Sequence, residues 1–239
     1  MHQNPKLRKN TGQSGQTGTD MAELGTGYTG EEAIEEYISS HIEAEGSLLS
    51  ALYRETNLRL LNPRMASGHI QGRLLKMFTR MIVPKTVLEI GTFSGYSALC
   101  IAEGLSDGAV LHTVECDDEL EDFIRSWFAK SPYGGRIELH VGDARLLVPG
   151  LGLTFDMVFI DAEKREYPDY FAMVADMVPS GGYIIADNTL WDGHVADPAY
   201  DRDAQTAAIR RFNDIVAADK RFDTVMIPIR DGLTIIRKK

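Results

Sequence analysis

From Pro84 onward, short apolar runs alternate with stretches of helical periodicity, and this alternation restricts the fold more than any other feature of the chain. Runs suited to strands lie at Thr86–Ile90, Val110–Glu115, Arg136–Val141, Phe155–Asp161 and Gly182–Asp187. Helical patterns fall at Gly95–Leu105, Asp118–Lys130, Tyr167–Val178 and Asp203–Ala218. Apolar runs that do not alternate in polarity suit strands buried on both faces, which is the situation of a parallel sheet flanked by helices. The last two runs, Phe222–Ile229 and Leu233–Arg237, are separated by Arg230-Asp231-Gly232. Asp-Gly between two apolar runs signals a hairpin, so the sheet should finish with an antiparallel strand.

Three helices are expected before the first strand. One begins near Glu31 with Ile34, Tyr37, Ile38 and Ile42 on one face and Thr29 as N-cap, one spans Leu48–Leu61, and one spans Gly68–Val83. These cap helices, residues 31–83, can cover a sheet edge or serve an oligomer contact. Residues 1–30 are rich in Gly, Thr, Gln and Asn with little apolar periodicity, as in a flexible tail. Residues 31–239 are expected to form one α/β domain.

At 239 residues, 44% hydrophobic and 25% charged, the chain suits a folded globular protein. A net charge of -10 disfavours broad binding to a phosphate backbone. Cys100 and Cys116 both fall in runs suited to core elements, which fits a reducing, cytoplasmic setting better than a disulfide framework. No apolar run approaches the roughly 18 residues of a membrane span, and the basic residues near the start have no apolar stretch behind them.

Ligands in open α/β sheets collect at the carboxyl ends of the strands, so site residues are expected there. The first strand closes on Glu89-Ile90-Gly91-Thr92-Phe93-Ser94-Gly95-Tyr96-Ser97. Glycines there let the backbone approach a ligand and the following helix start supplies N–H donors, although a tight strand-to-helix turn has the same composition. The spacing departs from the G-x-G-x-x-G of dinucleotide binders. Glu115 ends the second strand 24 residues after Gly91, where a carboxylate can accept both hydroxyls of a ribose. Gly142-Asp143-Ala144 ends the third, and a small residue there leaves room for a base.

The fourth and fifth strands end in Asp161-Ala162-Glu163-Lys164 and Asp187-Asn188. Asp161, Asp187 and Asn188 are hard oxygen donors suited to Mg²⁺, Ca²⁺ or Mn²⁺. Lys164, three residues beyond Asp161, is a candidate general base if a nearby cation lowers its pKa. Trp191 is either an apolar wall for a flat substrate or an anchor for its loop, and His194 is expected at the surface.

As an ordered set, Leu88-Glu89-Ile90-Gly91 through Gly95-Tyr96-Ser97, Phe159 to Lys164, Gly181-Gly182, Asp187 to Gly193 and Asp231 to Thr234 resemble the cation-dependent O-methyltransferases of the catechol and caffeoyl-CoA type. The likeness runs from about Met65 to the C-terminus. It implies the class I methyltransferase fold, Rossmann-like, with seven strands in the order 3-2-1-4-5-7-6, strand 7 antiparallel, and helices on both faces. It implies an S-adenosylmethionine pocket lined by Ser67, Glu89, Gly91, Ser97, Glu115 and Ala144. It also implies metal ligands Asp161, Asp187 and Asn188, with catalytic roles for Lys164 and Asp161. Glu163 stands where the family usually has Asp, Gln71 replaces the usual Glu before Gly72, and Asp192 occupies a position that is often Asn in plant members.

The expected activity is metal-dependent methylation of a vicinal-diol aromatic by a homodimer, with no membrane partner. A methyltransferase of a hydroxylated uridine in transfer RNA is the nearer alternative. A non-catalytic nucleoside-binding module is the more distant one.

Overall fold

The computed structural model describes residues 30–239, so the expected tail and the Thr29 cap lie outside the described residues. The chain divides after Tyr37 into two units, and the second, Ile38–Lys239, contains the sheet. The helices are α1 (Gly30–His41), α2 (Gly46–Arg59), α3 (Gly68–Ile82), α4 (Tyr96–Gly104), α5 (Glu121–Phe128), α6 (Ala144–Gly150), α7 (Tyr167–Val174) and α8 (Ala204–Ala218). The strands are β1 (Thr86–Ile90), β2 (Val110–Glu115), β3 (Ile137–Val141), β4 (Met157–Ile160), β5 (Tyr183–Asp187), β6 (Phe222–Ile227) and β7 (Leu233–Lys238).

They form one seven-stranded sheet in the order β3-β2-β1-β4-β5-β7-β6. β1 to β5 are parallel, whereas β7 runs antiparallel to both β5 and β6. This is the expected class I methyltransferase arrangement. Successive residues of the central strands alternate between two cores, as the period of two requires. Leu88, Ile90, Val158, Ile160 and Ile184 pack with Val148 of α6, Phe171 of α7 and Phe212 of α8. Val87, Met157, Phe159 and Ile185 pack on the other face with Leu52 of α2, Leu75 of α3, Leu99 of α4 and Ile124 of α5. Helices α2 and α3 are therefore part of one core layer.

Three local readings change. Helix α6 was not apparent, because it has only seven residues and contains Pro149. It forms where Asp143 caps it, Oδ1 accepting from the Arg145 N–H at 2.9 Å. β6 stops at Ile227 rather than Ile229, since Pro228 cannot donate to a ladder. Cys116 lies just past the end of β2 and is exposed, while Cys100 is buried; both are free thiols. No helix among the described residues is long and apolar enough to cross a membrane.

Candidate active site

β4 pairs in parallel with β5, Ile160 opposite Ala186, so Asp161 and Asp187 leave adjacent strands at the same level. β1 lies on the other side of β4, with Ile90 opposite Ile160, and the Asp161 N–H donates to the Ile90 carbonyl at 2.9 Å. Gly91 follows at φ +96°, and a Cβ there would stand 1.9 Å from the Asp161 carbonyl oxygen. Only glycine lets the β1 turn lie this close to the β4 end. The register thus brings the two candidate half-sites side by side.

On the β1 side, Glu89 is fully buried. Its Oε2 accepts from the Thr113 hydroxyl at 2.5 Å, while Oε1 is buried without a hydrogen-bond partner. Burial pushes its pKa up to about 8; the nearby Ser97 hydroxyl and the Thr113 hydrogen bond oppose the shift, and the charges of Asp161 and Glu115 reinforce it. Glu115, expected as a strand-end carboxylate, is buried. Its Oε2 accepts from the backbone N–H groups of Thr92 (3.2 Å) and Phe93 (2.6 Å), and Oε1 accepts from Asp117 N–H at 2.9 Å. It therefore pins the glycine turn as well as standing at the strand end. Ser67, just before α3, and Ala144, first in α6, are both nearly buried. The Ser67 carbonyl accepts from Arg230 Nη1. Buried Glu89 with an unsatisfied oxygen and small Ala144 suit a polar nucleoside ligand.

On the β4–β5 side, Asp187 is 5% exposed. Its Oδ2 accepts from Gln71 Nε2 at 2.5 Å and Oδ1 from the Asn188 N–H at 2.9 Å. Burial first, then the negative charge of Asp161, raises its pKa above the usual carboxylate range. Asn188 takes a left-handed backbone (φ 56°), which Asn tolerates, and its Nδ2 lies 3.5 Å from Asp231 Oδ2. Two mutually repelling carboxylates beside an amide fit a hard divalent cation, because both negative charges find compensation in one ion.

Lys164 sits in a 3₁₀ turn (Lys164–Glu166) whose N-cap Glu163 accepts from Arg165 N–H at 3.2 Å. Its buried Nζ donates to Asp161 Oδ1 and to Tyr167 Oη, each at 2.9 Å. Burial pulls its pKa down, but the charges of Tyr167 and Asp161 and the two hydrogen bonds outweigh it, leaving the ammonium favoured. The lowered pKa expected of a base is absent from these protein contacts alone.

Several residues of this site escaped the sequence reading. Tyr167, fully buried, donates from Oη to the Asp187 carbonyl at 3.0 Å and so ties Lys164 to the end of β5. Its place three residues after Lys164, on the same side of a helical turn, was the available signal. Gln71 was visible only as a departure from a motif, yet it links Asp187 to Arg230, whose Nη1 donates to Gln71 Oε1 at 2.9 Å. Asp231 organises the loop after Asn188: its carbonyl accepts from Leu190 N–H at 2.9 Å and Trp191 N–H at 3.3 Å, and its carboxylate from Asp192 N–H. Gly232 permits this approach, since a Cβ would stand 2.5 Å from Leu190 Cγ. Trp191 packs against the α6–α8 core, which supports the anchor reading, and His194 stacks on Tyr200 with ring centroids 3.5 Å apart.

Comparison with known proteins decides the family. A model of the O-methyltransferase family matches residues 37–239. The chain belongs to the O-methyltransferase family. Among this methyltransferase's relatives, a caffeoyl-CoA O-methyltransferase of Petroselinum crispum is 34% identical over 188 residues, covering 73% of this chain and 77% of the relative. Another from Stellaria longipes is 29% identical over 225 residues, covering 89% and 93%. Among solved structures, the Streptomyces achromogenes O-methyltransferase TomG, crystallised with S-adenosylmethionine, superposes with a TM-score of 0.80 at 29% identity, covering 87% of this chain and 96% of TomG. An O-methyltransferase of Bacillus cereus in complex with S-adenosylhomocysteine gives 0.81 at 28% identity, covering 87% and 97%. The family and fold are those to which the motifs pointed.

Proposed function

We propose that this O-methyltransferase moves a methyl group from S-adenosylmethionine to one hydroxyl of a vicinal-diol aromatic, in a reaction that depends on a divalent cation. The observation that carries the reading is the meeting of Asp161, Asp187, Asn188 and Lys164 at adjacent strand ends beside the Gly91 turn. The relatives named for caffeoyl-CoA methylation and the structures holding S-adenosylmethionine or its demethylated product support it.

S-adenosylmethionine supplies an electrophilic methyl on a sulfonium, and Ser67, Glu89, Gly91, Ser97, Glu115 and Ala144 would hold it. A divalent cation, Mg²⁺ or alternatively Ca²⁺ or Mn²⁺, would be held by Asp161, Asp187 and Asn188 and would supply positive charge that acidifies a hydroxyl beside it. Lys164, once its ammonium proton has passed to solvent, accepts the hydroxyl proton at Nζ. Tyr167 Oη holds Nζ in place through that exchange, because its own anchors are the main-chain carbonyls of Asp187 and Ile160. The deprotonated oxygen attacks the methyl carbon and the carbon–sulfur bond breaks, leaving a neutral thioether. Gln71 and the Asn188 N–H keep Asp187 aimed, so the strand ends contribute mainly by holding reactants in contact, a term that reaches effective molarities of about 10⁵–10⁸ M.

Incubation with radiolabelled S-adenosylmethionine and a panel of ortho-diphenols, monophenols, a CoA thioester of a catechol acid and transfer RNA tests the reading. Label should enter ortho-diphenols only with Mg²⁺ present; equal labelling of monophenols, or labelling indifferent to chelator, would overturn it. The proposal extends to a cytoplasmic homodimer, for which exposed Val225, Met226 and Ile227 on edge strand β6 offer an apolar contact surface. Light scattering of the purified chain tests the dimer.

A further inference from the structure

The sheet edge opposite β6 carries a second group of metal-ligating side chains that the methyl-transfer chemistry leaves unused. β3 is the edge strand and pairs in parallel with β2, with His112 opposite Glu138 and Val114 opposite His140. Glu138 and His140 are two apart on β3 and therefore share the face on which His112 stands. His112 Nδ1 lies 3.2 Å from His140 Nε2 and 3.3 Å from Glu138 Oε2. One donor atom from each of the three lies within 4.8 Å of the others, and among the described residues this is the group of three or more His, Cys, Asp or Glu with such geometry. From these distances we propose that His112, Glu138 and His140 form a second divalent-cation site, selective for Zn²⁺-class ions and separate from the Asp161–Asp187–Asn188 centre.

The spacing is quantitative support. Ligands held about 2.0–2.1 Å from a tetrahedral metal stand about 3.3–3.4 Å from each other. The separations of 3.2 and 3.3 Å lie within about 0.2 Å of that value, and the third closes by rotation of Glu138, whose side chain is 59% exposed. Two imidazoles and one carboxylate suit Zn²⁺ and exclude a preference for Mg²⁺, which takes oxygen ligands. His112 is held from behind by Phe155, ring centroids 6.1 Å apart. Burial lowers the His112 pKa, which keeps its ring neutral as a ligand must be. His112 and, opposite Val114, His140 alternate in side with Thr113 and Glu115 along the ladder, so the group stands on the sheet face opposite the Glu115 side chain. Occupied, it would fasten edge strand β3 to β2.

Because His112 is buried, the more exposed Glu138 and His140 carry the test. The full chain, stripped of metal, is titrated calorimetrically with Zn²⁺ in a large excess of Mg²⁺, alongside Glu138→Ala, His140→Ala and Asp187→Ala; melting temperatures and the visible spectrum of the Co²⁺ form are read in parallel. One Zn²⁺ should bind per chain, retained in Asp187→Ala and weakened at least about ten-fold in Glu138→Ala and His140→Ala, where a direct ligand is lost. Zn²⁺ at a hundred-fold excess over Kd should raise Tm by about 5–10 °C in the wild type. The Co²⁺ form should show the strong absorption of a four-coordinate nitrogen site, missing in His140→Ala. Failure of Zn²⁺ to bind, binding unchanged by both β3 substitutions, or binding abolished by Asp187→Ala would each overturn the proposal.

Discussion

Glu89 makes stability of the ligand-free protein depend on pH in a direction opposite to that of most carboxylates. Its side chain is fully buried, only Oε2 has a partner, and its pKa rises from an ordinary 4.5 to about 8. A folded-state pKa above the unfolded one means that protonated Glu89 contributes stability fully below about pH 4.5. That contribution is lost as pH rises through about 8. At about 1.4 kcal/mol per pH unit across this interval, ionising Glu89 in place costs about 5 kcal/mol, an order-of-magnitude figure. Glu89→Gln keeps the shape and removes the charge, so it should abolish this part of the pH dependence. For a chain of this size, where 1 kcal/mol moves Tm by about 2–4 °C, the wild type should lose about 10–20 °C more than Glu89→Gln between pH 5 and pH 9. Melting both proteins at half-unit pH intervals, without cofactor or metal, measures the difference directly. Charges elsewhere are common to both proteins and cancel. Parallel profiles, with a gap constant to within about 2 °C, would show that Glu89 is not held protonated and would refute the reasoning.

Asp161→Ala and Asp187→Ala should each abolish Mg²⁺-stimulated methyl transfer while leaving the far-ultraviolet circular dichroism unchanged; full turnover of Asp187→Ala with chelator present would exclude the metal role. Lys164→Ala should lower turnover by about 10²–10⁴-fold with little change in S-adenosylmethionine affinity measured by calorimetry, and unchanged turnover removes Lys164 as the base. Tyr167→Phe keeps the ring packing but removes the hydroxyl donor to the Asp187 carbonyl and leaves Lys164 Nζ with Asp161 alone, at a cost of about 1–3 kcal/mol read by urea unfolding. Gly91→Ala must displace the Asp161 carbonyl, so about 3 kcal/mol or more of stability should be lost, together with cofactor binding.

The alternation of apolar runs and helical patterns determined the α/β class, and Asp231-Gly232 determined the closing hairpin, because these depend on periodicities of 2 and 3.6 and on turn chemistry carried by neighbours in the chain. Asp161, Asp187, Asn188 and Lys164 were legible because strand ends in a parallel sheet point to one edge whatever the details of packing. Helix α6 was not, since seven residues with a proline have little intrinsic preference and form where Asp143 caps them and the sheet covers Val148. Nor were the roles of Gln71, Arg230 and Asp231: Gln71 meets Asp187 across 116 residues, Arg230 meets Gln71 across 159, and Asp231 meets Asn188 across 43 and the Trp191 loop across 39. The electrostatics also waited on the fold. Asp187 is raised because burial removes its water and Asp161 faces it, whereas Lys164 stays charged because Asp161 and Tyr167 reach its Nζ. Which residue types stand at the strand ends is local information, but the charge each one holds there is set by what surrounds it, and only the tertiary structure supplies those surroundings.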